Sequence, residues 1–129
     1  MKQPIWVDRR DVLALHEVLL ALHGGMAGLR DDTLLESALA RAQQIRTYAS
    51  KPDKIEMATA YTAGIVRNHP FFDGNKRTGF VVGVLFLELN GYRFTASEAD
   101  AAQAVLSLAA GQLDEKGFAA FLRANVVKA

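Results

Sequence analysis

The sequence predicts an all-α protein, a single-domain bundle of about six helices around a buried central helix. Three observations lead to this prediction. Apolar residues recur at helical spacing along most of the chain, glycines, prolines and capping residues separate these stretches, and the stretch from Phe80 to Leu87 is apolar on every side. With 129 residues, half of them hydrophobic, the chain is long enough to build one domain over residues 1–129 with its own core.

The first helix is bounded by clear local signals. Asp8 or Asp11 can cap its start, and its apolar positions follow a helical period up to His23. Gly24 and Gly25 then end it, because glycine tolerates the left-handed backbone found just past a helix. A loop follows over residues 26–30.

The second and third helices are predicted on either side of a short connection. Thr33 and Glu36 have the spacing of a capping box, so the second helix should open there and fray near Tyr48. The third runs from about Pro52 to Asn68, since proline is acceptable in a first turn. It should end before Pro70, which disfavours helical geometry at the preceding residue.

The fourth helix is predicted from Asn75 to Asn90 and contains the apolar stretch. A helix that is apolar all round is buried, so we expect this one at the centre of the bundle. Gly91 ends it, and residues 92–94 are expected to be extended, as a short β segment.

Two further helices complete the predicted fold. Thr95 to Glu98 has capping-box spacing and should open a fifth helix that ends near Gly111. Asp114 can cap a sixth, which carries apolar residues as far as Val126.

Composition excludes several classes of function. The 15 basic and 14 acidic residues give a net charge of +1, so neither nucleic acid nor an anionic membrane is expected as a partner. The absence of cysteine excludes disulfides and thiolate chemistry. The longest apolar run is far shorter than the ~20 residues of a membrane-spanning helix. Charged residues follow the first few positions where a signal peptide would be apolar, so we expect a cytoplasmic protein.

The segment from His69 to Arg77 concentrates residues suited to phosphate chemistry. A histidine ring accepts protons near neutral pH, and Asp73 offers a carboxylate for Mg²⁺ or for a substrate hydroxyl. Gly74 allows close approach of the backbone to a ligand. Base, carboxylate and glycine stand immediately before a helix.

The start of that helix is an expected anion site. Its first N–H groups lack partners within the helix, and the helix dipole is positive there. Lys76 and Arg77 add two cations at a position where helix stability alone disfavours them, so a bound anion explains them best. Arg67 is a candidate third cation across the loop. Together these features indicate phosphate transfer, although the chain has neither a P-loop nor a dinucleotide-binding glycine motif.

The stretch from His69 to Arg77 resembles the Fic signature, His-x-Phe-x-Asp/Glu-Gly-Asn-x-Arg. It matches at every specified position: His69, Phe71, Asp73, Gly74, Asn75 and Arg77. The Ala14–His16 segment followed by a glycine pair, and the segment from Phe86 to Gly91, are similar to those of death-on-curing (Doc) toxins. The resemblance therefore covers most of the chain and implies the Fic/Doc fold.

Two positions distinguish the activity that this resemblance implies. Lys76 stands where Fic enzymes that transfer AMP usually have glycine, and lysine is typical of death-on-curing toxins. Phe80 stands where longer Fic motifs often carry a second arginine. A lysine fills the space that a nucleotide phosphate would occupy. The implied reaction is therefore transfer of the γ-phosphate of ATP to a Ser/Thr hydroxyl, with AMP transfer and a non-catalytic binding module as the alternatives.

The resemblance also implies roles for the site residues. His69 would be the general base and Asp73 would hold Mg²⁺ or orient the hydroxyl. Asn75, Lys76 and Arg77 would hold phosphate groups of ATP, with Gly74 giving access to the backbone. Arg67, the cation expected across the loop from its charge and position, is added to this set of nucleotide-binding residues. Phe71 is expected to be a buried anchor.

Partners follow from the same resemblance. The implied target is elongation factor Tu, whose modification would arrest translation. No inhibitory Ser/Thr-x-x-x-Glu-Gly/Asn pattern occurs in the sequence, so we expect a Phd-like antitoxin whose helical segment covers the site. His16 is expected on a helix flank and His23 near a helix end. Neither has metal-ligand spacing with His69, so no zinc site is predicted.

Overall fold

The computed structural model describes residues 3–129 and confirms the all-α class. The helices are α1 (Arg9–His23), α2 (Asp32–Tyr48), α3 (Lys54–Asn68), α4 (Asn75–Leu89), α5 (Glu98–Ala109) and α6 (Glu115–Ala124). Two short strands, β1 (Tyr92–Phe94) and β2 (Val126–Lys128), form an antiparallel pair. Among the described residues, no helix is long and apolar enough to cross a membrane.

Five of the six helices begin with a side chain that accepts a hydrogen bond from the first turn. The caps are Asp8, Asp31, Asp53, Ser97 and Asp114. Asp8 and Asp11 form a reciprocal capping box, which decides between the two caps expected for α1. The boxes expected at Thr33 and Thr95 are wrong, because Asp31 and Ser97 already bond the free N–H groups there.

The most completely buried helix is α3, not α4 as the sequence suggested. Eleven of its 15 residues are buried, and it contacts α2, α4, α5 and α6. Small side chains allow this, since Ala38 of α2 lies against Gly64 and Thr62 donates a 2.8 Å hydrogen bond to the carbonyl of Gly79 on α4. The apolar run on α4 remains partly exposed at Val81, Val84 and Leu85. Helix α4 therefore packs beside the centre.

The C-terminal segment differs from the prediction. The sixth helix ends at Ala124, so Val126 lies in a strand and not in the helix. Strand β2 pairs with β1 in the register Phe94↔Val126 and Tyr92↔Lys128. The extended segment at residues 92–94 is confirmed, but a three-residue partner strand is too short to show an alternating pattern in the sequence.

Candidate active site at the start of helix α4

The loop that carries the Fic-like motif begins with an unusual backbone conformation. Helix α3 ends at Asn68, as the following proline predicted, and His69 takes up a left-handed conformation with φ 56° and ψ 53°. Among the described residues, it is the only non-glycine residue with positive φ. Such a conformation costs roughly 1–3 kcal/mol, so the surrounding contacts must hold it in place.

Arg30 supplies part of that restraint. Its Nε donates a 2.8 Å hydrogen bond to the carbonyl of His69, and its Nη2 donates one of 3.1 Å to the carbonyl of Asn68. The backbone N–H groups of Arg30 and Asp31 both donate to the carbonyl of Pro70. Arg30 was not among the predicted site residues, because an arginine in a loop gives no local signal of a partner 39 residues away.

Asn75, the first residue of α4, holds the loop from the other side. Its side chain is buried, its Oδ1 accepts from the N–H of Phe71 at 2.9 Å, and its Nδ2 donates to the carbonyl of Phe71 at 2.9 Å. The same Nδ2 lies 3.1 Å from Nδ1 of His69. The amide was expected to hold phosphate, but these contacts already occupy both of its polar atoms, so only its backbone N–H is available to an anion.

His16 reaches the same loop from α1. A position on a helix flank was expected for it, but the residue is buried, with 3% of its surface exposed. Its Nε2 lies 2.7 Å from the carbonyl oxygen of Asp73, and its ring stacks on Phe71 with centroids 3.7 Å apart. Phe71 is fully buried, in agreement with its expected role as an anchor. The Ala14–His16 segment was noticed in the sequence, but its spatial partner was not.

Helix α4 differs from the other helices at its first turn. Its N-cap is Gly74, in a left-handed conformation with φ 80°, and no side chain caps the helix. The carboxylate of the preceding residue, Asp73, turns instead to the α1–α2 loop, where its Oδ2 accepts from the N–H of Met26 at 2.7 Å. The first N–H groups of α4 therefore remain available to a bound anion.

These residues line one cavity of about 190 Å³. Its walls are His69, Asp73, Gly74, Asn75, Lys76 and Arg77. The side chains of Lys76 and Arg77 are exposed, and the salt bridges found in residues 3–129 do not include them. The structure thus brings an imidazole, one carboxylate and two free cations to the positive end of one helix.

Arg67 is the predicted site residue that does not join this group. Its Nη1 lies 3.3 Å from Oε2 of Glu115, a carboxylate that also binds Arg41 at 2.6 Å. Arg67 is not among the residues that line the cavity. The expected third cation is therefore paired with a carboxylate on α6 and does not line the cavity.

The cavity suits a magnesium ion only in combination with a phosphate ligand. Asp73 is its one carboxylate, and residues 3–129 contain no cluster of three or more His, Cys, Asp or Glu side chains that could hold a metal. Mg²⁺ is commonly held by one or two carboxylates together with substrate phosphates. The donor set therefore fits Mg²⁺ bound with a nucleotide and does not fit a metal held by protein alone.

Comparison with known proteins identifies the family of the chain. A sequence model of the Fic/DOC family matches residues 6–87, which include the whole loop and most of α4. The chain is 29% identical over 117 residues to "Protein kinase doc" of Escherichia phage P1, covering 91% of this chain and 92% of that protein. It is 35% identical over 92 residues to "Toxin Doc" of Mycolicibacterium smegmatis, covering 70% of this chain and 68% of that protein. The chain belongs to the Fic/DOC family, and the resemblance to death-on-curing toxins is confirmed.

Proposed function

We propose that this protein is the toxin of a toxin–antitoxin pair and acts as a protein kinase on a translation factor. The reaction is transfer of the γ-phosphate of ATP to a Ser or Thr hydroxyl, and the proposed target is elongation factor Tu. One observation carries the proposal: the ring of His69 and the cations Lys76 and Arg77 line the same cavity at the uncapped start of α4. The names of the two relatives, a protein kinase and a toxin, support it.

Phosphate binding is assigned to the first turn of α4. The backbone N–H groups there have no side-chain cap, and Lys76 and Arg77 place two charges beside them. In this arrangement, fixed N–H groups and cations face the oxygens on which negative charge is spread during phosphate transfer. The proposed phosphate ligands are Gly74 and Asn75 through their N–H groups, and Lys76 and Arg77 through their side chains.

Asp73 is the proposed magnesium ligand. One of its carboxylate oxygens accepts from Met26, which leaves the other free to face the cavity. When bound, Mg²⁺ with ATP supplies the transferable phosphoryl group and neutralises part of its charge. Since Asp73 is the one carboxylate of the cavity, we expect it to fix where the metal lies relative to α4.

His69 is the proposed general base. As the hydroxyl oxygen bonds to the γ-phosphorus and the bond to the bridging oxygen breaks, the hydroxyl proton passes to the ring. In the structure, Nδ1 of His69 faces an N–H of Asn75. If Nδ1 takes the proton, it can no longer accept from Asn75. If Nε2 takes the proton, Nε2 must first be free of hydrogen, so Nδ1 carries the hydrogen of the neutral ring and again cannot accept. The contact with Asn75 is therefore lost in both cases. The exposed ring has room to turn.

Lys76 favours γ-phosphate transfer over AMP transfer. Its side chain lines the cavity at the helix start, where a glycine would leave space for another phosphate group. The neighbouring residue along the groove between α4 and α5 is the aromatic Phe80, which offers no charge to a phosphate. A nucleotide held against this surface presents its terminal phosphate, and not its α-phosphate, to the acceptor hydroxyl.

A toxin of this kind requires an inhibitor. We propose a Phd-like antitoxin whose helical segment covers the cavity, because the chain carries no inhibitory pattern of its own. Production of the toxin alone should then stop bacterial growth, and production together with its antitoxin should restore it.

The decisive experiment uses ATP labelled at the γ- or the α-phosphate, with purified elongation factor Tu. We expect label from the γ-position on the factor, and mass spectrometry should locate a phosphate on Ser or Thr. His69→Ala should lower the rate at least ~100-fold, as loss of a general base does. His23→Ala, which removes an exposed histidine at the end of α1, is the matched control and should keep full activity.

Other results would select a different function. Label from the α-position would mean AMP transfer, and ATP binding without labelling of any target would mean a binding module. If wild type and His69→Ala stop bacterial growth equally, the assignment of His69 as the base is wrong.

A further inference from the structure

We infer that His16 is a positioning residue that sets the direction of the Asp73–Gly74 peptide and so keeps the phosphate-binding N–H groups turned toward the cavity. This inference rests on the proposed phosphate site at the start of α4. It assigns a role to a residue 57 positions away from its partner in the sequence, on a helix that contributes no residue to the cavity lining.

The contact fixes the hydrogen on the His16 ring. Nε2 lies 2.7 Å from the carbonyl oxygen of Asp73, and a carbonyl oxygen only accepts. Nε2 must therefore carry a hydrogen and donate it. The ring cannot easily move away, since it is 3% exposed and stacks on Phe71 with 11° between the two planes.

The direction of this carbonyl determines the direction of the next N–H. In a planar trans peptide, the carbonyl and the following N–H point to opposite sides. With the carbonyl of Asp73 directed at α1, the N–H of Gly74 is directed away from α1, toward the cavity that Gly74 lines. It then extends the row of N–H groups offered by the first turn of α4.

Nothing else in the loop selects this orientation as directly. Gly74 has φ 80°, and a glycine adopts positive or negative φ with similar ease, so the peptide before it can rotate. A rotated peptide would aim the carbonyl of Asp73 at the cavity, where its negative end would repel a phosphate. The side-chain contact between Asp73 and Met26 does not prevent that rotation, since it leaves the backbone peptide free.

The test compares three variants of the full chain by their binding of inorganic tripolyphosphate. His16→Phe keeps a ring to stack on Phe71 but has no donor, and we expect it to unfold near the wild-type temperature and bind about tenfold more weakly, the effect of one hydrogen bond. His16→Gln places an amide nitrogen where Nε2 was and should bind close to wild type. His23→Phe is the control for loss of an exposed histidine and should also bind like wild type.

A second measurement follows the backbone amide of Gly74 directly. In ¹⁵N NMR spectra, the amide of Gly74 should shift on addition of tripolyphosphate, and the same shift should be absent in His16→Phe. If His16→Phe fails to fold, His16→Asn replaces it, because its shorter amide does not reach the carbonyl whereas that of His16→Gln does.

Several outcomes would overturn the inference. They are equal binding by wild type and His16→Phe, equal binding by His16→Asn and His16→Gln, or a Gly74 amide that does not respond to tripolyphosphate. A wild type that binds tripolyphosphate in this His16-dependent way but phosphorylates nothing would refute the proposed kinase and leave this inference standing.

Discussion

The side chain of Asn75 determines more of the active site than its place in a sequence motif suggests. Its Oδ1 faces the N–H of Phe71 and its Nδ2 faces the carbonyl of Phe71, so the amide has only one orientation that satisfies both. With that orientation fixed, the atom 3.1 Å from Nδ1 of His69 is a donor. Nδ1 must then accept, and the neutral ring of His69 carries its hydrogen on Nε2.

This predicts the tautomer of the resting ring. ¹⁵N chemical shifts of the free protein should show a larger share of the Nε2–H form for His69 than for exposed His23. Asn75→Ala should reduce that share toward the value of His23 and, by leaving the buried N–H of Phe71 without a partner, lower the free energy of unfolding by about 1–3 kcal/mol. An Nδ1–H ring in the wild type would contradict the geometry.

At the scale of the elements, the sequence predicted helices well and their packing poorly. Local signals gave the extent of α1 and the end of α3, because caps, glycines and the residue before proline act within a few positions. The choice of central helix was wrong, because it depends on where small residues let neighbours approach. Counting apolar residues favoured α4, but Gly64 on α3 lets α2 approach closely, and Gly79 on α4 lets α4 approach α3 closely.

The α3–α4 contact gives a prediction at this scale. A Cβ at Gly83 would collide with Oγ1 of Thr62 and lie 3.0 Å from the carbonyl of Ala58, and the backbone atom cannot give way cheaply. Gly83→Ala should therefore lower the free energy of unfolding by about 1–3 kcal/mol.

The matched control for this substitution is Gly117→Ala on α6. At Gly117, the atom closest to an added Cβ is the end of the flexible Leu113 side chain, which can move aside. Because alanine favours helix over glycine, this substitution should raise the free energy of unfolding by up to ~1 kcal/mol. Urea unfolding would measure both, and similar effects of the two substitutions would argue against a tight α3–α4 contact.

For the whole molecule, the site depends on contacts that link distant parts of the chain. His16 contacts Asp73, 57 residues away, and Arg30 contacts His69, 39 residues away. No local sequence pattern predicts either contact. The motif itself predicted that His69, Asp73, Lys76 and Arg77 would come together, because the loop that carries it leads directly into the first turn of α4. Arg67 lies just outside that motif, and its pairing with Glu115 on α6 depended on tertiary structure that the sequence did not reveal.

Val7, which precedes α1, also contacts the bundle through hydrogen bonds to a residue distant in sequence. The stability that this contact contributes should fall at alkaline pH. The hydroxyl of Tyr61 on α3 donates to the carbonyl of Val7 and accepts from its N–H. Burial raises the pKa of Tyr61 to about 12. In the unfolded chain its pKa is near 10, so the unfolded state loses the proton first as pH rises. The contribution of Tyr61 to the free energy of unfolding is therefore fully present below pH ~10. It declines by on the order of 2–3 kcal/mol as pH rises toward ~12.

Tyr61→Phe isolates this effect, because lysines and other tyrosines titrate alike in both proteins. Near pH 8 the variant should be less stable than wild type by about 1–2 kcal/mol, since it leaves the N–H and carbonyl of Val7 without their partner. Above pH ~10 that difference should shrink, as only the wild type has a buried phenol whose ionisation favours unfolding. Unfolding in urea at a series of pH values would measure the difference directly. If the free energies of unfolding of wild type and Tyr61→Phe stay parallel from pH 8 to pH 11.5, the phenol titrates alike in the folded and unfolded chains. That result would contradict its burial beside Val7.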